Sequence, residues 1–300
     1  MRLVVALGGN ALLRRGEPPE ALTQTRRLAA AAPAFVRLAA QHELLLIHGN
    51  GPQVGLLAAE NVTDEAIATP YPLGDMVAES QGLIGLWLQR ALFNAKSTKP
   101  VVSLVCQTVV DEADPAWQHP TKQIGPSYSA HDAHTLTKRH GWTFVTDEVT
   151  WRRVVPSPAP IDIIEQGVIG NLLSAGMIVI GAGGGGVPVV RTRGQLIGVN
   201  AVIDKDSVAA LLAITLTADR LIILTDVSAV MRGYGTPQQH PILETTADEL
   251  DAQHFSSGSM GPKVTAATAF VRETGCRAAI GSLDDAEAVV NGLAGTQISR

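Results

Sequence analysis

Lys205 stands between Asp204 and Asp206, where the apolar residues 201–203 give way to a segment of helical period. Two more lysines are similarly confined. Lys263 follows a Gly-Ser-Met-Gly turn at the start of another helical segment, and Lys122 lies in the tight stretch HPTKQIGP, residues 119–126. A phosphoryl group in transfer spreads its charge over three equatorial oxygens, so catalysing that step is mostly positioning and cationic stabilisation. Three lysines with Asp206 to orient them suffice for it. A lysine between two aspartates also reads as a solvated turn when taken alone, so the weight falls on its surroundings.

Those surroundings are glycine turns. Apolar runs end in Leu7-Gly8-Gly9-Asn10, in His48-Gly49-Asn50-Gly51-Pro52, in Gly181-Ala182-Gly183-Gly184-Gly185-Gly186, and in Gly281 after residues 278–280. Glycine lets backbone N–H groups approach an anion without a Cβ in the way, and a following helix adds its positive end. Any strand-to-helix turn favours glycine, but two Gly-Asn turns and a glycine-rich loop on one sheet edge point to oxyanion cradles. A dinucleotide fingerprint over residues 44–55 is weak, because Pro52 follows its second glycine and no acid is placed to hold a ribose. The Walker-A string is absent, since Lys263 has the wrong spacing and no Ser/Thr after it. Asp226, after the run 221–225, reads equally as a turn stabiliser or as a group reaching nucleotide or Mg²⁺ through water. His131 and His134 lie three apart on a helical segment without an evident third metal ligand, and a solvated face is the better reading. No Ser-His-Asp or Cys-His set appears.

The elements that position these residues follow from the apolar pattern. Continuous apolar runs at residues 3–7, 44–47, 101–105, 177–180, 221–224 and 278–280 indicate strands buried on both faces. Segments of helical period lie at 21–41 (interrupted by Pro33), 79–93, 161–175, 207–216, 260–274 and 284–293. Thr246 with Glu249, and Ser282 with Asp285, have capping-box spacing. The alternation predicts an α/β fold, a three-layer αβα sandwich with a mainly parallel open sheet that binds ligands at the strands' carboxyl ends. Residues 111–160 break the rhythm with Pro, Trp, His and charge, and hold two short strand candidates, 143–145 and 151–155. They read as a small protruding subdomain inserted in one 300-residue unit.

Hydrophobic residues make up 46% of the chain, enough for a substantial core, and a formal net charge of −5 offers no basic field to nucleic acid. The longest apolar stretches fall far short of the roughly 20 residues a membrane span needs, and MRLVVALGGN reads as a first strand rather than a signal peptide. The only cysteines, Cys106 and Cys276, sit in or beside apolar runs, which suits a reducing cytoplasm.

The segments LGGNAL (7–12), HGNGPQVG (48–55), AESQGLIG (78–85), PTKQIGP (120–126), RRVVPSP (152–158), GGGGVPVV (183–190), AVIDKD (201–206), LTDVSAV (224–230), YGTPQQ (234–239) and GSMGPKV (258–264) carry a resemblance nearly end to end. Together they resemble the carbamate kinase branch of the amino-acid-kinase family. The resemblance implies Mg²⁺-dependent phosphoryl exchange between ATP/ADP and carbamate/carbamoyl phosphate. Gly8, Gly9 and Asn10 with Gly49, Asn50 and Gly51 would cradle the phosphoryl and carbamoyl groups. Lys205 and Lys263 would flank the phosphoryl oxygens, Asp206 would hold the lysines, and Lys122 would reach carbamoyl phosphate from the subdomain. Asp226, Val227, Tyr234, Gly258 and Met260 would lie around the nucleotide. Residues 1–176 would form an acceptor and homodimer lobe carrying the insertion at about 111–160, and residues 177–300 a nucleotide lobe.

Several positions depart from the family pattern. Gln123 stands for a proline, Ser127 for an aromatic, Gly74-Asp75 for the Asp-Val of PLDV, and Pro156 for the alanine of VVASP. They lie near the insertion or on the substrate side, so they bear on substrate affinity more than on phosphoryl transfer. A kinase of another small carboxylate or phosphonate, and a non-catalytic binding protein on the same fold, are the alternative readings.

Overall fold

The apolar runs become neighbours in one eight-stranded sheet, in the order Glu244–Thr246, Thr296–Ser299, Arg277–Ser282, Arg220–Thr225, Arg2–Leu7, Glu43–His48, Ile178–Ile180, Val101–Ser103. This computed structural model describes residues 1–13, 17–63, 69–146, 149–253, 255 and 260–300, with Asn10 and Ala11 described by their backbone alone. Every strand pairing in the sheet is parallel except Arg277–Ser282 with Thr296–Ser299. Successive side chains of a strand point to opposite faces. In Arg2–Leu7, accordingly, Val4 and Ala6 enter one core layer and Leu3, Val5 and Leu7 the other.

Helices Gln166–Ser174, Lys205–Thr215 and Met260–Thr274 cover the first face, with Ile169, Leu212 and Phe270 fully buried against it. Ala21–Gln41, Leu73–Asn94 and Ala286–Val290 cover the second through Phe35, Leu88 and Val289. Burying each such side chain contributes about 1.5–3 kcal/mol. The result is the expected three-layer αβα sandwich over a mainly parallel sheet. Among the described residues no helix is long and apolar enough to cross a membrane.

Four local expectations change. The helix Ala21–Gln41 runs through Pro33 without a break. A proline inside a helix costs about 3 kcal/mol through its missing N–H and its ring's clash with the preceding turn, and burial of Ala31, Ala32, Phe35 and Leu38 along the same helix offsets it. The segment 161–175 splits into a strand, Pro160–Ile163, and the helix Gln166–Ser174. The strand is drawn off by antiparallel pairing with Gln107–Val110, and the Glu165 carboxylate accepts the Gln107 N–H at 2.7 Å. The helix expected from residue 79 begins at Leu73, whose N–H is capped from a distance by Asn200 Oδ1 at 3.0 Å. Thr246 and Glu249 form both bonds of a capping box, whereas Ser282 accepts from the Asp284 N–H instead.

A three-stranded antiparallel sheet, Lys122–Tyr128, Trp151–Val155, Thr143–Thr146, carries the helix Ala130–His140. Two of these strands match the short candidates. The third was hidden by Gly125-Pro126, which produce the register shift between Ile124 and Ser127. Gly125 (φ +73°) lies so close to Gly55 that a Cβ on Gly55 would stand 1.8 Å from Gly125 Cα. The small sheet therefore docks on the helix Gly51–Thr63, sealed by Val54, Ala58, Ile124 and Val155. That docking brings Lys122 to the main body.

Candidate active site

Parallel pairing puts the carboxyl ends of Arg2–Leu7, Glu43–His48, Ile178–Ile180 and Arg220–Thr225 on one edge, and the turns that follow them touch in sequence. Gly8 N–H donates to Leu224 O at 2.7 Å and Gly49 N–H to Leu7 O at 2.9 Å. These two glycines thus extend the sheet and shape the turns, and their own amides are taken. A Cβ on Gly49 would stand 2.9 Å from Gly9 N, so the two turns lie back to back. Asn50, 3% exposed, donates through Nδ2 to Ser80 Oγ at 2.8 Å, and Ser80 Oγ–H donates to Val77 O. Gly51 opens the helix Gly51–Thr63, whose first N–H groups have no intrahelical partner by position. The backbone of Gly9 and Asn10 forms the short helical turn Gly9–Leu12 beside them.

The glycine-rich loop is the spacer between these turns and the lysines. Gly183 lies against the His48 ring, Gly184 (φ +65°) against the Asn50 carboxamide, and Gly185 (φ +91°) against Ile203 O, each too closely for a Cβ. His48 is fully buried and its Nδ1 meets Gly49 O at 3.1 Å, so that nitrogen carries the hydrogen. Burial pulls its pKa down to about 4, with Lys205 adding to the shift and the Gly49 bond opposing it. The ring is neutral at pH 7.

Ile203 leads directly into the charged cluster. Asp204 caps the helix Lys205–Thr215, its Oδ1 accepting the N–H groups of Asp206 (2.9 Å) and Ser207 (3.2 Å), while its Oδ2 accepts Lys122 Nζ at 2.5 Å. Asp206, 2% exposed, accepts Lys205 Nζ on Oδ1 at 2.5 Å and Lys263 Nζ on Oδ2 at 3.1 Å. Burial pushes the Asp206 carboxyl up, but the two lysines outweigh it and hold it ionised well below the usual carboxylate range. Lys205 is pulled down by burial first and by Lys263, and raised by Asp206. Three lysines against two aspartates leave one positive charge at the glycine turns, an arrangement suited to an anion.

Lys122, Lys205, Asp206 and Lys263 are thus gathered, with Gly8, Gly9, Gly49, Asn50 and Gly51 along the adjoining edge. Met260 packs part-buried on the core in the first turn of the Lys263 helix. Asp226 is exposed after Arg220–Thr225 and accepts Thr225 Oγ1–H at 3.0 Å, with Val227 half-buried next to it. Tyr234 is 80% exposed in the turn between Val230–Arg232 and His240–Ile242. Gly258 lies outside the described residues, as does the side chain of Asn10. Sequence reasoning gave no role of their own to Asp204, Ser80 and His48. An aspartate at a strand-to-helix junction was the available signal for the first; nothing in the spacing ties Ser80 to Asn50.

A family model described as the amino acid kinase family matches residues 1–282. The chain is 47% identical to the carbamate kinase of Rhizobium meliloti (strain 1021), over 100% of this chain and 93% of that one. It is 48% identical to the carbamate kinase of Escherichia coli (strain K12), over 99% of each. Among solved structures, the carbamate kinase of Giardia lamblia bound to AMP-PNP superposes with a TM-score of 0.91 at 38% identity, covering 99% of this chain and 98% of that one.

Proposed function

The chain belongs to the amino acid kinase family, and we propose on that premise that it is a carbamate kinase, a phosphotransferase exchanging a phosphoryl group between ATP/ADP and carbamate/carbamoyl phosphate. The observation that carries the reading is the Asp206 carboxylate, which holds Lys205 and Lys263 on its two oxygens beside the Gly-Asn turns.

Toward ATP synthesis, the proposed working direction, a terminal oxygen of ADP attacks the phosphorus of carbamoyl phosphate and the bond from phosphorus to the carbamate oxygen breaks. Carbamate leaves as an anion, so no proton has to move and no general base is required. The site's carboxylates support this, because both oxygens of Asp206 and of Asp204 are occupied by lysines and backbone N–H groups. The amides opening Gly51–Thr63 and the Gly9-Asn10 turn would receive phosphoryl oxygens. Lys205 and Lys263 would neutralise the charge spreading onto them, and Lys122 would hold carbamoyl phosphate from the small sheet. Asp226, Val227, Tyr234, Gly258 and Met260 would surround the nucleotide.

Mg²⁺ fits as a companion of the nucleotide rather than as a resident ion. Among the described residues no group of three or more His, Cys, Asp or Glu is placed to hold a metal. Mg²⁺ characteristically keeps waters and binds substrate phosphates, and it would supply charge neutralisation between them. Leu83, Leu86 and Phe93 are exposed on the helix Leu73–Asn94 at helical spacing, which supports a homodimer through the N-terminal half. A cytoplasmic setting accords with the two unpaired cysteines.

ATP formation from ADP, Mg²⁺ and carbamoyl phosphate, coupled to hexokinase and corrected by an enzyme-free blank, tests the proposal. ATP well above the blank is expected, with acetylglutamate and glutamate inert as acceptors in the reverse direction. No ATP above the blank, or preferential phosphorylation of either amino acid, overturns it.

A further inference from the structure

Ser80 and Gln81 stand in the segment AESQGLIG, residues 78–85, outside the charged cluster. Both are polar, both are buried, and both belong to the helix Leu73–Asn94. The Gln81 carboxamide donates to Cys106 O at 3.2 Å and accepts the Cys106 N–H at 3.0 Å. It thereby pins this turn of the helix to the backbone between Val101–Ser103 and Gln107–Val110. Ser80 is held beside it as a fixed point, and it meets the side chain of Asn50.

The direction of each hydrogen bond at Ser80 follows from its neighbours. Val77 O can only accept, so the single Ser80 Oγ–H donates to it at 2.7 Å. Ser80 Oγ is then an acceptor toward Asn50, at 2.8 Å, which places the carboxamide nitrogen on the Ser80 side and the oxygen on the other. Gly184 closes one face of the carboxamide, since a Cβ there would stand 2.0 Å from Nδ2 and 2.4 Å from Oδ1.

Oδ1 is left without a donor. Asn50 occupies the N-cap position of the helix Gly51–Thr63, its carbonyl taking the Val54 N–H at 2.9 Å. Asparagine at that position ordinarily turns its side-chain oxygen onto the second or third amide of the helix. The second residue is Pro52, which has no N–H, and among the described residues no group donates to Oδ1. Nor is this atom sealed from solvent, unlike the unpaired Oε1 of Gln53 in the same helical turn.

We infer that Asn50 Oδ1 accepts a hydrogen bond from the carbamoyl nitrogen, and that Ser80 is the positioning residue that turns the oxygen toward it. The inference rests on the carbamate kinase reading and names how that site tells its substrate from other acyl phosphates. The first amides of Gly51–Thr63 receive phosphoryl oxygens, and Oδ1 stands at the same helix end for the acyl group beside them. Carbamoyl phosphate carries an amino group where acetyl phosphate, of nearly the same shape, carries a methyl. Bound acetyl phosphate would leave Oδ1 desolvated and unpaired, and a site built around a hydrogen bond rejects an isostere in this way. The same contact favours carbamate over acetate in the reverse direction.

Rates of ATP formation from ADP and Mg²⁺ with carbamoyl phosphate or acetyl phosphate, each against its enzyme-free blank, test the assignment through the ratio of the two kcat/KM values. Wild type should favour carbamoyl phosphate by at least about tenfold, the scale of one hydrogen bond lost at a buried acceptor. Asn50→Ala should lower that ratio by at least about tenfold. Ser80→Ala should lower it several-fold, because the carboxamide is then free to present either end, and Ser80→Thr, which keeps the hydroxyl, should retain it. A packing defect slows both donors alike and leaves the ratio unchanged. If Ser80→Ala fails to fold, Ser80→Cys takes its place, since a thiol sulfur accepts only weakly. A wild-type ratio near one, or a ratio unchanged in Asn50→Ala or in the Ser80 variant, overturns the inference while ATP formation from carbamoyl phosphate leaves the kinase reading standing. No ATP from carbamoyl phosphate in wild type overturns both.

Discussion

Lys122 Nζ lies 2.5 Å from Asp204 Oδ2, an ion pair that ties the small sheet to the N-terminus of the helix Lys205–Thr215. Its two side chains are 33% and 18% exposed, so solvent screening limits it to about 0.5–1 kcal/mol. That is enough to bias a docked element without locking it. Asparagine caps helices as well as aspartate, so Asp204→Asn removes the latch and spares the helix. The expected result is faster proteolysis across residues 111–126 without substrate, slowed again by carbamoyl phosphate, at nearly constant thermal stability. Lys122→Ala should raise KM for carbamoyl phosphate with ADP binding close to wild type. An unchanged KM removes Lys122 from the site.

Neutral, buried His48 makes stability depend on pH. Its folded pKa of about 4 lies below the ordinary 6.5, so between those values the unfolded chain binds a proton that the folded chain does not. Stability therefore falls as pH drops from 6.5 toward 4, at up to about 1.4 kcal/mol per unit and roughly 3 kcal/mol in all. Asp206 has its folded pKa depressed, so its contribution is present above the unfolded carboxylate pKa of about 4 and is lost below it. The windows are separate. Urea unfolding at intervals from pH 7 to pH 4.5 should show the slope in wild type and a shallower one in His48→Gln. Equal slopes refute the assignment.

Gly184→Ala probes the spacer loop. The added Cβ overlaps the Asn50 carboxamide and pushes it off Ser80. KM for carbamoyl phosphate should rise several-fold and the melting temperature should fall. Gly194→Ala is the matched control: it shares a positive φ (+79°) but has open space around it. It should cost about 1–2 kcal/mol of backbone strain and leave kinetics unchanged. Equal kinetics in the two variants would mean that Asn50 does not contact substrate.

The central strands were legible because parallel strands buried on both faces must be continuously apolar, as Val4, Leu45 and Ile223 are. The helix Met260–Thr274 was legible from its period and matches its expected bounds. Residues 161–175 misled because Ile161 and Ile163 fit a helical period as well as a strand, and only pairing with Val109 and Thr108, over fifty residues away, decides between them. Glycines 183–186 pointed to anion binding in the sequence. In the fold, three of them also answer a steric demand from His48, Asn50 and Ile203 that no local pattern contains. Asp204 stood out only as a flank of Lys205, and its pairing with Lys122 escaped the sequence for the same reason, since that partner is 82 residues away.

Lys205 and Asp206 offer the sharpest test of the catalytic proposal, because substituting either disturbs both charge and structure in separable ways. Lys205→Met keeps the stem and deletes the cation. Loss of one preorganised charge donor to a transition state typically costs about 10² to 10³ in kcat, or roughly 3–4 kcal/mol. ADP affinity should change far less, and Lys263 remains to neutralise Asp206, limiting the loss of stability. Asp206→Asn leaves the buried Lys205 and part-buried Lys263 ammonium groups without a counter-charge, so it should be slow and also lower the melting temperature more than Lys205→Met does. The double variant should be far from additive in kcat, since the carboxylate acts by placing the lysine. Steady-state kinetics and calorimetric ADP titration on the three variants measure all of this. Retention of more than about half of wild-type kcat by Lys205→Met would reduce the cluster to a structural turn. A loss confined to ADP binding would make Lys205 a nucleotide clamp and Lys263 the principal transition-state cation.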